Sequence, residues 1–206
     1  MKTPMPVNSC VESILGPTYR SDDYGVGLVL AELLTYSHLH PLIREKGGAY
    51  EASLRLNESG MINFLSFRDP AIVRTFENFE RTIIDACDGK FSESEIDQAK
   101  LLAFQKIDKV LEPSYKGLLG FVRGYSDEDR LNMRLRALDA DKERLVDFAR
   151  KYFLPALEEG KTARVVFGTQ DIESSGDYEV LQSDAWTFHN PMSFLSSKYF
   201  EEKKNE

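Results

Sequence analysis

Histidine and cysteine are scarce in this sequence: the 206 residues hold three of the first, His38, His40 and His189, and two of the second, Cys10 and Cys87. That scarcity excludes most chemistry built on clustered ligands. No His-x-x-Glu-His pairing occurs in either direction, so no helix presents two metal ligands one turn apart. His38 and His40 lie two apart, roughly 200° around a helix axis, and read as helix-end residues without a metal. The cysteines fit neither a disulfide framework nor a metal-finger spacing, which points to a reducing intracellular compartment. Cys87 borders an apolar helical stripe and reads as an inert packed thiol. No basic-plus-apolar leader opens the sequence, and no long apolar stretch is free of charge, so no membrane association is expected. The net charge of -8 argues against nucleic acid, whose phosphates need a basic surface. Gly-x-Ser-x-Gly and phosphate-cradling glycine loops are missing as well.

What is present is an ordinary globular composition, 42% hydrophobic and 29% charged, long enough for one domain with a core. Val7 to Leu15 alternates as a strand, and from Gly25 the period becomes helical, with Val26, Val29, Leu30, Leu33 and Leu34 on a deeply packed helix that ends near Gly47-Gly48. Tyr50, Ala52, Leu54 and Leu56 alternate against polar neighbours, "NESG" turns the chain and "MINFLSF" returns it, a β-hairpin. Asp69-Pro70 reads as a helix N-cap with proline at the first position, followed by the stripe Ile72, Phe76, Phe79 and Ile83. Ser92 with Glu95 forms a capping box for a helix whose Ile96, Ala99, Ala103, Ile107 and Val110 face inward until Pro113 stops it. A short helix over Tyr115 to Val122, one opened by Ser126 and Asp129, and a long one opened by Asp141 follow. "TARVVFG" is a compact strand, "YEVLQSDAW" an edge strand or ordered tail, and about 190–206 a frayed tail. The grouping predicts an α+β fold, an antiparallel β-sheet with helices packed on one face, over residues 1–206 as a single domain.

One segment carries unusual chemistry. "LHPLIREKGGAYEA" sets Arg44 and Tyr50 on either side of Gly47 and Gly48, at a helix-to-strand join. A guanidinium fork and a phenolic hydroxyl that reach one point can hold a carbonyl or the oxyanion developing on it. The same residues also read as plain structure: glycines capping a helix, Arg44 and Lys46 complementing its dipole, Tyr50 on an apolar strand face. The residues by themselves leave both readings open.

"HPLIREKGGAYEA", "FLSFRDP" and "GLLGFVRGYSDEDR" resemble, in that order, the C-terminal domain of the presequence protease/falcilysin family of zinc metallopeptidases, in the pitrilysin/insulinase group. The resemblance covers most of Val7 to Phe167. It implies the fourth of four homologous α+β domains, arranged as two halves that close on an unfolded peptide such as a targeting peptide. It implies that Arg44 and Tyr50 hold the scissile-bond carbonyl, that Gly47 and Gly48 form the spacer between them, and that Asp69 and Pro70 cap a helix. The catalytic zinc and its base belong to an N-terminal domain, so this sequence is expected to bind no zinc and to be inactive alone, with the N-terminal half and the peptide as its partners. The abrupt start beside a strand suggests a piece of a longer protein, from the mitochondrial matrix or another organelle. The alternative is a non-catalytic scaffold or regulatory subunit of the same fold, against which the retention of Arg44 and Tyr50 speaks. A stand-alone module that pairs a peptide with the hairpin edge is physically open but has no motif behind it.

Overall fold

The computed structural model describes residues 7–110, 112 and 117–168. Four strands, β1 (Asn8–Leu15), β2 (Glu51–Leu56), β3 (Met61–Asp69) and β4 (Ala163–Phe167), form one antiparallel sheet in the order β2-β3-β1-β4. The helices are α1 (Asp23–Leu34), α2 (Ile72–Cys87), α3 (Glu93–Ile107), α4 (Leu118–Arg123), α5 (Asp127–Leu138) and α6 (Lys142–Glu158). Between α1 and β2 the helix continues as a π-helix, Thr35–Glu45.

Period-2 patterning puts one sheet face inside. Cys10, Glu12 and Ile14 of β1 and Ile62, Phe64 and Ser66 of β3 are buried, while Val165 on the opposite face is exposed. Helices α2 and α6 pack against β1 on the buried side. The expected antiparallel sheet with helices on one face is thus the observed fold. Phe64 is its centre, its ring 5.5 Å from Phe79 of α2 and 5.7 Å from Phe153 of α6. Aromatic rings at such separations add to what their buried area contributes. By length and mean hydropathy the run Asp23–Glu45 matches a membrane span, yet 61% of its most apolar 18-residue window is buried inside the protein, as expected of a core helix. Burial pushes the Cys10 thiol up to about 12 and raises Cys87 too, so both are inert packed thiols.

The caps at Ser92, Ser126 and Asp141 form where the sequence places them, the first two as reciprocal boxes. Asp69 departs from expectation. The helix opens at Ile72 with Ala71 as its N-cap, so Pro70 precedes the helix instead of beginning it. Asp69 ends β3, buried, and still serves the helix start: Oδ1 accepts from the Ala71 N–H at 2.8 Å and Oδ2 from the Thr75 hydroxyl at 2.6 Å. Asp69→Ala leaves both donors unmet in a buried place and should cost about 2 kcal/mol, measured as a lower denaturant midpoint with an unchanged slope. A second departure is Val110, expected to face inward but 93% exposed, because α3 has already ended at Ile107. Pro113, Tyr115, "YEVLQSDAW" and the tail lie outside the described residues.

A buried ion network joins sheet and helix. Glu12 of β1 is wholly buried, and Arg164 of β4 donates to its Oε1 at 3.1 Å and to Glu80 Oε1 of α2 at 2.6 Å. The Arg164 guanidinium also lies 5.1 Å from the centre of the Phe76 ring. Burial raises the Glu12 carboxyl above its usual 4.5, opposed by the hydrogen bond from Arg164.

Candidate functional site

The π-helical turn decides where Arg44 points. Pro41 lies inside it. In an α-helix the proline ring would clash with the carbonyl four residues back and leave a bond unmade. Here the register is one residue wider, the Lys46 N–H bonding the Pro41 carbonyl at 3.2 Å. Such segments are rare and recur at functional sites. Its exit is wide in the same way: the Gly48 N–H bonds the Arg44 carbonyl at 3.0 Å and the Ala49 N–H bonds the Ile43 carbonyl at 3.1 Å. Each of these spans one residue more than the matching bond of a Schellman cap.

The two glycines have separate reasons. Gly48 sits at φ +81, which a residue with Cβ rarely adopts, and a Cβ on Gly47 would lie 2.3 Å from the Ile43 carbonyl oxygen. The pair is a helix terminus that fixes the backbone of Arg44 and hands the chain to β2.

Tyr50 lies one residue before β2, its N–H bonded to the Phe67 carbonyl at 3.0 Å. It does not share the fate of Ala52 and Leu54 on its strand face: they are buried and Tyr50 is 65% exposed. That exposure removes the packing reading of the tyrosine. Its ring meets Phe67 edge-on at 6.4 Å, and the Arg68 guanidinium lies 5.6 Å from its centre.

Arg44 and Tyr50 open on one recess of about 300 Å³. Tyr36 and His40 line it from the helix, and with Arg44 they recur at steps of four residues, so that the three share a face. The Tyr36 and His40 rings stack edge-on at 4.9 Å. Arg55 and Lys106 close the recess, but their charges are committed, Arg55 to Glu51 at 2.7 Å and Lys106 to Glu32 at 2.5 Å. Among the described residues neither the Arg44 guanidinium nor the Tyr50 hydroxyl has a hydrogen-bond or ion-pair partner. The sequence reads His40 only as a helix-end residue and does not single out Tyr36, although their four-residue steps toward Arg44 are the available signal.

His38 stands apart from this recess, its Nδ1 2.7 Å from the Ser37 hydroxyl, and burial lowers its pKa against the pull of Asp85 and Glu95. No group of three or more His, Cys, Asp or Glu side chains is placed to hold a metal ion among the described residues.

The fold is that of a pitrilysin-type peptidase domain. It superimposes on a protease from Helicobacter pylori with a TM-score of 0.67 at 15% identity, over 81% of this chain and 42% of that one. On pitrilysin the TM-score is 0.57 at 16% identity, over 94% of this chain and 22% of that one. Residues 3–169 match the family described as the PreP C-terminal domain, and the chain belongs to that family. Among curated proteins it is similar to "Presequence protease, mitochondrial" of Mus musculus, 36% identical over 149 residues, 72% of this chain. The chain spans 14% of that relative's length.

Proposed function

We propose that this is the C-terminal, fourth domain of a zinc-dependent oligopeptidase, and that it grips an unfolded peptide next to the bond to be cut. Support comes from one observation above the others: Arg44 and Tyr50 face a common recess with their polar ends free. A planar, permanently charged fork beside a phenol suits a peptide carbonyl whose oxygen gains charge in the transition state. The free donors would tighten on that oxygen as it becomes an oxyanion. Zinc and the general base would come from the N-terminal half, as the family to which residues 3–169 belong implies. The mouse relative is named a mitochondrial presequence protease, which makes targeting peptides in mitochondria the substrate and setting to try first.

The test is to join this domain to the remaining part of a presequence protease and assay unfolded peptides. The joined enzyme should cleave, the N-terminal part alone should be nearly inactive, and zinc by elemental analysis should follow the N-terminal part. One tightly held zinc per molecule of the isolated chain, or full activity without this domain, contradicts the proposal.

A further inference from the structure

One arginine sits where glycine would be the easier choice. Arg68 has φ +50, the only left-handed non-glycine residue among those described. The cause is a β-bulge. Asn8 of β1 pairs with Asp69 and Ser9 pairs with Phe67, so Arg68 is the extra residue on β3. Bulges of this kind usually place glycine in the left-handed position, because a Cβ is unfavourable there. Asp69 locks the bulge from the next position, its carbonyl accepting from Asn8 Nδ2 at 3.0 Å and its carboxylate holding the start of α2.

The bulge has a directional consequence. Ile62, Phe64 and Ser66 alternate into the core, and two residues on, position 68 would follow them. The left-handed turn instead puts Phe67 and Arg68 outside together, and the Arg68 guanidinium lies 5.6 Å from the centres of both the Phe67 and Tyr50 rings. A guanidinium at that distance from an aromatic face is held by the ring quadrupole. With Phe67 edge-on to one side, Tyr50 has two contacts that limit where its hydroxyl points.

We infer that Arg68 is a positioning residue for Tyr50: the bulge exists to bring its guanidinium onto the Tyr50 ring and so aim the hydroxyl at the substrate. This rests on the role proposed for Tyr50. It also separates what Arg68 does for the fold from what it does for the site.

The experiment is Arg68→Gly in the joined enzyme, with melting of the 206-residue chain measured alongside. Glycine relieves the backbone, so the melting temperature should hold or rise. Turnover should fall about tenfold, mostly in kcat, because a misaimed donor weakens transition-state contacts. Arg68→Lys keeps a cation over the ring and should recover much of that loss. On a Tyr50→Ala background Arg68→Gly should cost nothing further. Unchanged turnover in Arg68→Gly, a clear loss of melting temperature, or an equal loss on the Tyr50→Ala background each overturns the inference. If Tyr50→Phe and Arg44→Ala are also fully active, the site reading itself has failed; if only Arg68→Gly is, the positioning role alone has.

Discussion

Arg44→Ala in the joined enzyme is expected to lower kcat/KM about 10²–10³-fold, as does removal of one oxyanion donor elsewhere. The loss should lie mainly in kcat, because the bond strengthens only as charge develops on the carbonyl oxygen. No compensating partner stands ready: Lys106 and Arg55, the other cations on the recess, are paired with Glu32 and Glu51. Arg44→Lys should recover little, since an ammonium cannot present two parallel donors. Tyr50→Phe is the cleaner companion. It keeps the ring that meets Phe67 and Arg68 and deletes only the hydroxyl, so its loss reports the donor alone. Neither variant should lower the melting temperature noticeably, because both side chains are exposed.

The second large effect is on stability. Arg164→Met strips Glu12 of its cation, and an unpaired buried charge costs about 3–5 kcal/mol. In a chain of this length each kcal/mol moves the melting temperature by roughly 2–4 °C. The pH dependence identifies the cause. Glu12 already has a raised carboxyl pKa in the folded protein, chiefly from burial. Its contribution to stability is therefore fully present below the usual carboxylate value and lost as pH rises through the raised one. Without Arg164 that pKa climbs further, so the variant's deficit should be small in acid and grow toward neutral pH. Glu12→Gln added to Arg164→Met should recover much of the loss at pH 7 and flatten its pH dependence. A deficit independent of pH would mean that Arg164 matters only through its packing on Phe76.

Side-chain periodicity and capping chemistry carry most of this fold on their surface. Phe76, Phe79 and Ile83 are buried where a helical stripe demands, and Ser92 with Glu95 closes its box. The unread parts are backbone events. A π-helix and an α-helix put nearly the same residues on one face over two turns, so Tyr36, His40 and Arg44 look helical either way; the wider register shows only in the hydrogen bonds around Pro41. The bulge at Arg68 is hidden because Phe67 continues an ordinary alternation and an exposed arginine surprises no pattern. The Asp69-Pro70 pair looks like a helix start because Asp69 does feed the helix, from two residues before its N-cap. In the site, Arg44 and Tyr50 were legible as chemistry, but their convergence was not. It follows from a glycine-capped π-helix meeting an edge strand.

Arg44 and Tyr50 are proposed to hold the same substrate oxygen. A double-mutant cycle on kcat/KM, with Arg44→Ala, Tyr50→Phe and both together, addresses it directly. Two large single losses are expected, and a double variant scarcely slower than the worse single, since donors that act on one oxygen as a unit do not add. Singles near the parent rate, or losses that simply multiply, would contradict it.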